Sequence, residues 1–289
     1  MATLDKNAKL NDFFIDVQIK YMANAYRVYI ETIKEQITKD MTKRDINKLI
    51  METPLKPNVD RTVIVALIQG GIMNVLNTKK NVTTDLMPIV ALLKLFGTNN
   101  EMKLVQKVNK ISKSILNGKT SNLTRFELRG YKEVSKFINA NRTEIKAIKR
   151  GFQDELLKVN KLVKSNLSKN LIDRLRIAQD LKLTTKEISK QFKKTNDYWR
   201  VKRVLDTEIH TLNEQVKVKQ GKRLGFTHKT WRTQRDNKVR DTKFHLAVAN
   251  KKVPLDSPFR AVGLEAQFPG DISLPIGERI NCRCYVILS

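Results

Sequence analysis

The sequence predicts a mainly α protein, a basic multi-helix body followed by a small α+β C-terminal domain. Two observations carry that expectation. Apolar residues recur at three-to-four spacing through the first two thirds of the chain, the period of a helix with one buried face. Beyond Gly225 the pattern changes: Pro254, Pro258, Gly263, Pro269, Gly270, Pro275 and Gly277 break the chain into short segments too brief for long helices. A length of 289 residues with 40% hydrophobic content is ordinary for globular protein, so a genuine core is expected in one large or two ordinary domains.

Taken in order, Leu10, Phe14, Val17, Tyr21, Val28 and Ile37 predict a first helix over about 7–39. A short helix over 42–51 follows and is broken by the two prolines of TPLKPN, 53–58. Residues 58–77 and 83–96 read as two strongly apolar helices, the second ended by Gly97. Their nearly all-round apolar character predicts a buried hairpin, with membrane insertion as the alternative. The run from Val63 to Leu76 is interrupted by Gln69, Gly70, Gly71 and Asn74, and it is shorter than the roughly 20 residues a span needs. Helices over 100–117 and 122–139 come next. A long one over 143–181 carries the stripe Ile145, Ile148, Phe152, Leu156, Val159, Val163, Leu167, Leu171 and Leu175, read as a core face with some exposed length. Thr184 and Glu187 have the spacing of a capping box. A further helix over 196–218 closes near Gly221 and Gly225. In the remainder, 230–233 and 280–288 read as strands, the second placing Cys282, Cys284 and Val286 on one face.

Charge narrows the function. The chain carries a net +27, and residues 101–225, with 31 Lys+Arg against 13 Asp+Glu, hold +18 of it. Such an excess exceeds what solubility needs and predicts attraction to a polyanion. Candidate phosphate contacts are Lys146, Lys149, Arg150, Lys193, Lys194, Arg200, Lys202, Arg203, Lys217, Lys222 and Arg223. Few aromatics interleave them, so base stacking and sequence reading are not expected, and binding to double-stranded DNA is expected to be non-specific.

No catalytic motif is present: there is no Gly-rich phosphate loop, serine nucleophile elbow or dinucleotide fingerprint. Asp236, Asp241 and His245 could hold Mg²⁺ in a nuclease, which stands as an enzymatic alternative, but their interleaving with Arg235, Lys238 and Arg240 favours local ion pairs. Met1–Asn11 lacks the apolar core of a secretory signal, and two cysteines are too few for a disulfide framework. Cys282 and Cys284, one residue apart, could bind zinc with two of His210, His228 and His245; the expectation is instead no cofactor, with the thiols filling space.

A specific order of residues closes the chain. It runs from Leu183-Thr-Thr-Lys-Glu-Ile188 and Thr207-Glu208 to Lys229-Thr-Trp231, Asp236, Val239-Arg240 and His245. Val253-Pro-Leu-Asp, Phe259 and Pro269-Gly270-Asp271 follow, and Glu278-Arg-Ile-Asn281-Cys282-Arg283-Cys284 ends it. In this, residues 168–289 resemble the phage Mu F-like minor head protein (head morphogenesis) family, leaving 1–167 as an uncovered helical body. The resemblance implies helices to about 222, then short strands and loops over 226–289. It implies a minor structural protein of a tailed-phage virion, inside the head near the portal, and in the host cytoplasm during assembly. Its implied partners are the portal protein, other head proteins and packaged DNA, with a part in assembly or DNA ejection. A membrane-active ejection protein is the remaining alternative. No catalytic residue is carried over. The resemblance further implies that Trp231, His245, Cys282 and Cys284 converge, either as core or around a metal.

Overall fold

The computed structural model describes residues 2–77, 82, 84–97, 100–184, 187, 197–233 and 243–289. The fold is mainly helical with a small antiparallel β region at its C-terminal end. The helices are α1 (Ala2–Glu35), α2 (Lys43–Glu52), α3 (Val59–Asn77), α4 (Met87–Phe96), α5 (Glu101–Asn117), α6 (Arg125–Ala140), α7 (Arg142–Asp180) and α8 (Asp197–Arg223). Two short ones, α9 (Lys243–Val248) and α10 (Ile276–Arg279), lie among the strands. The strands are β1 (His228–Arg232), β2 (Lys252–Pro254), β3 (Phe259–Ala261), β4 (Leu264–Ala266) and β5 (Tyr285–Leu288).

Helix ends follow local chemistry. Thr42 and Thr124 each accept from the backbone N–H three residues on, while Asp45 and Glu127 reach back to the cap N–H, so both are full capping boxes. Asn100 caps α5, and the left-handed Gly118 ends it. Thr184 and Glu187 make the same reciprocal bonds, at 2.9 and 3.4 Å, but the helix they would open lies outside the described residues.

The chain forms two compact units. One comprises 20–58 and 153–205. In it the Tyr29 hydroxyl donates to the Ile50 carbonyl at 2.6 Å and the Tyr26 hydroxyl to Asn160 Oδ1 at 2.5 Å. Within this unit the α7 stripe is buried from Leu156 to Leu175, as a core face requires, although Leu157, Leu162 and Ile177 stay exposed.

The other unit comprises 1–19, 59–152 and 206–289. Its centre is α3, the one helix among the described residues that is long and apolar enough to cross a membrane. That helix is buried from Arg61 to Asn74. Its polar residues fix its neighbours: Arg61 forks onto Asn109 at 2.8 and 3.1 Å, and Gln69 bonds Asn11 and Gln18. Against the expected pair of all-round apolar helices, α4 buries only Ile89, Leu92 and Leu93, and a 3₁₀ turn over Thr84–Leu86 precedes it.

At the C-terminal end β1 is the middle strand of the order β2-β1-β5, both pairings antiparallel. Trp231 lies opposite Val286, and Lys229 opposite Leu288. β3 and β4 form a separate hairpin. Trp231 centres the cluster beneath, meeting Phe244, His245 and Phe259 edge-on at centroid distances of 5.7, 5.6 and 5.2 Å. One expectation is corrected. Residues 280–284 are not strand, because α10 occupies the chain to Arg279 and Asn281 takes φ +56.

Candidate functional site

The site is assembled on α8. A helix that reads as polar on one side would ordinarily show that side to water, yet Thr207, His210, Thr211, Glu214, Lys217 and Gln220 of α8 are all buried. Their partners explain it. Thr211 Oγ1 donates to the Gly270 carbonyl at 2.7 Å, and Glu208 holds the Arg279 guanidinium through both carboxylate oxygens at 3.1 Å. Glu214 accepts from the Val286 N–H at 2.9 Å and from Lys217 Nζ at 2.5 Å. Gly270, at φ +81, lies so close that a Cβ there would sit 3.0 Å from Thr211 Oγ1 and 3.1 Å from the His210 ring. This polar face is a rail on which the C-terminal tail docks.

Docking brings three reactive groups together. Phe244 and His245 both point into the core from the single turn of α9. The left-handed Asn281 reverses the chain after α10, with the Cys282 N–H bonded to the Arg279 carbonyl at 3.0 Å. Cys284 Sγ then lies 3.2 Å from His245 Nδ1, and Cys282 Sγ 3.9 Å from the same nitrogen. On the far side of the ring His245 Nε2 is 3.1 Å from the Glu278 carbonyl and 3.2 Å from its carboxylate Oε2.

These neighbours set the charges. The Cys282 thiol held against Cys284 favours a thiolate at Cys284 and holds its pKa down, a direction His245 reinforces while burial opposes it. The same contact, with burial, pushes Cys282 up. Burial works against a charged His245, but Cys284 and Glu278 together outweigh it and raise its pKa. His210 is different: burial pushes it down to about 4, so it is neutral at ordinary pH. Chemically the cluster is one imidazole and two sulfurs able to grip a soft ion. Cys284 itself, 2% exposed and part of the apolar core, is not accessible as a nucleophile.

Of the residues read from sequence, Trp231, His245, Cys282 and Cys284 are brought together here. Pro269 and Gly270 form the turn that meets α8, and Arg283 reaches Asp12 at 3.4 Å. His228 sits apart on β1, its Nδ1 against Thr227 Oγ1, and His210 faces Gly270. Asp236, Arg240 and Asp241 lie outside the described residues, as do Lys193 and Lys194. Arg200 is in the first turn of α8.

The phosphate candidates divide. Lys146, Arg150 and Arg203 are exposed, and Lys202 is half-buried. Lys149 pairs with Asp60 at 2.5 Å, Lys222 with Asp256 at 2.8 Å, and Arg223 with Glu144 at 2.5 Å. Lys217 is a correction: it is 1% exposed and bound to Glu214, so it cannot meet phosphate. Sequence reasoning gave no role to Glu278, Glu214 or the Glu208–Arg279 pair. Glu278 and Arg279 stand beside the Asn-Cys-Arg-Cys run, but nothing in their spacing points to partners 33 and 71 residues away.

No family model, no curated protein and no solved structure matches this chain.

Proposed function

We propose that the chain is a minor head protein of a tailed-phage virion, associated with the portal, that contacts packaged DNA through its phosphates. The observation that carries the DNA contact is the charge balance. Local pairing neutralises some members, as at Lys149, Lys217 and Arg223. It cannot neutralise the whole, because 31 cations face 13 acids over residues 101–225. Exposed cations follow one another along α7 at Lys146, Arg150, Lys161, Lys169 and Arg176. Point charges without interleaved aromatics suit backbone contact rather than base reading. The virion setting rests on the C-terminal order of residues that ends in Asn281-Cys282-Arg283-Cys284.

The test has two arms. Two duplexes of equal length and unrelated sequence should bind alike, with log K falling linearly as log salt rises. Preference for one sequence, or no binding at low salt, removes the DNA contact. Mass spectrometry of purified particles should find the chain at a fixed ratio to the portal protein, and its absence there removes the virion setting. Cleavage of either duplex on adding Mg²⁺ would turn the assignment towards the nuclease alternative.

A further inference from the structure

We propose that His245 Nδ1, Cys282 Sγ and Cys284 Sγ form a binding site for one zinc ion, with the Glu278 carbonyl orienting the histidine. The ligand atoms lie within 4.8 Å of one another. A tetrahedral zinc with bonds of about 2.3 Å to sulfur and about 2.0–2.1 Å to nitrogen sets its ligands about 3.6 Å apart between nitrogen and sulfur. The observed nitrogen–sulfur separations of 3.2 and 3.9 Å bracket that edge, and the two sulfurs lie within 4.8 Å of each other, against about 3.8 Å in a tetrahedron.

A second observation is independent of these distances. An imidazole that serves a metal through one nitrogen commits its other N–H to a carboxylate or carbonyl, which fixes tautomer and ring orientation. His245 Nε2 has the Glu278 carbonyl as its hydrogen-bond partner at 3.1 Å, with the carboxylate Oε2 3.2 Å away and outside hydrogen-bond geometry. A proton held there leaves the Nδ1 lone pair directed at the two sulfurs. Mere core filling gives no reason for a carboxylate, an imidazole and two thiols to share this pocket. Trp231 and Phe244 shield the histidine edge-on and keep the ligands dry. Three protein ligands leave a fourth position, and half-buried Cys282 is the more accessible sulfur, so that position opens on its side. The ion would join α9 to the tail after α10, two segments linked here by side chains alone. This inference stands whether or not the chain contacts DNA.

The test uses the full-length chain, reduced, stripped of metal and titrated with Co²⁺ as a spectroscopic substitute for zinc. The expected result is a saturable thiolate-to-cobalt charge-transfer band with the visible bands of tetrahedral cobalt, at one ion per chain, and erased by one equivalent of Zn²⁺. Cys282→Ser and Cys284→Ser should weaken the charge-transfer band. Glu278→Gln keeps the main-chain carbonyl that orients His245, so it should keep the spectrum and the one-ion stoichiometry. Wild-type protein giving no charge-transfer band at saturating cobalt overturns the proposal, whether or not the stripped chain remains folded. Visible bands of octahedral cobalt alone mean surface carboxylates and equally overturn it.

Discussion

Lys229 faces the core because strand parity leaves it no choice: it is two residues from Trp231, and β1 buries alternate positions. Its ammonium is held by Gln267 Oε1 at 2.7 Å and lies 5.5 Å over the Phe259 ring. Burial pushes its pKa down to about 8, against the opposing pull of Asp256 and Asp271. Below pH 8 both folded and unfolded chains hold the proton, and the buried charge weakens the fold. Between about 8 and 10.5 the unfolded chain alone keeps it, so stability rises with pH. Allowing for partial solvent screening, the gain is about 1–2 kcal/mol. It should appear as wild-type stability rising against Lys229→Met in urea titrations from pH 7.5 to 10.5; a constant difference rules it out. The Glu214–Lys217 pair makes the contrary case, since both partners are essentially inaccessible. Lys217→Met leaves a buried carboxylate that keeps the Val286 N–H but has lost its counter-ion, and should cost about 3–5 kcal/mol. Adding Glu214→Gln should recover most of that loss, because an amide oxygen still accepts from Val286; no recovery in the double variant would show the pair is not the cause.

At the scale of elements, two helical glycines predict opposite outcomes. Gly221 lies inside α8, where a Cβ would stand 2.0 Å from Leu288 Cδ1, and Leu288 is itself locked in the core. Gly221→Ala should therefore destabilise by about 1–3 kcal/mol through overpacking. Gly151 in α7 has nothing within 4 Å of such a Cβ, so Gly151→Ala should stabilise by about 0.5–1 kcal/mol through helix propensity. Thermal midpoints of the two variants decide both, and shifts of the same sign refute the distinction. These glycines also show what sequence could and could not tell. Gly97 and Gly118 are legible helix ends, and the capping residues at Thr42, Asn100 and Thr124 lie where periodicity begins. Gly221 looks like another stop but is retained for contact with a strand 67 positions later, and the turn itself falls at Gly225, φ +76. The polar face of α8 was illegible for the same reason: a stripe of Thr, His, Glu and Lys signals solvent until a tail supplies its partners. In the site, the two cysteines announced themselves by spacing. His245 was one of three histidines that could join them, singled out only by the resemblance, and Glu278 stood in the resembling run without a role, because a loop reversal at a left-handed asparagine has no period to read.

For the whole molecule the question is how a positive surplus is distributed once pairs have formed. Counted over sequence, the unit of residues 20–58 and 153–205 holds 22 Lys+Arg against 11 Asp+Glu, and the other 34 against 18. Net charges of +11 and +16 follow, so neither unit is neutral, and the smaller is the more densely positive. A polyanion would therefore meet net positive charge on both, and no single cation should be decisive for binding it. What each contributes depends on its present partner. Lys222 and Asp256 are both well exposed, so that ion pair is weak and breaks readily for a phosphate. Lys217 is sealed and cannot exchange. Lys146 and Arg150 are exposed one helical turn apart on α7. If phosphate binding is the function, the double variant Lys146→Ala/Arg150→Ala should bind every duplex more weakly by a similar factor. It should also reduce the log K against log salt slope by about 2, one for each phosphate left without its cation. Lys217→Met, in preparations that remain folded by circular dichroism, should leave the slope at its wild-type value. An unchanged slope in the double variant would place the DNA contact away from this stretch of α7, and a changed slope in Lys217→Met would mean that the buried pair opens on binding.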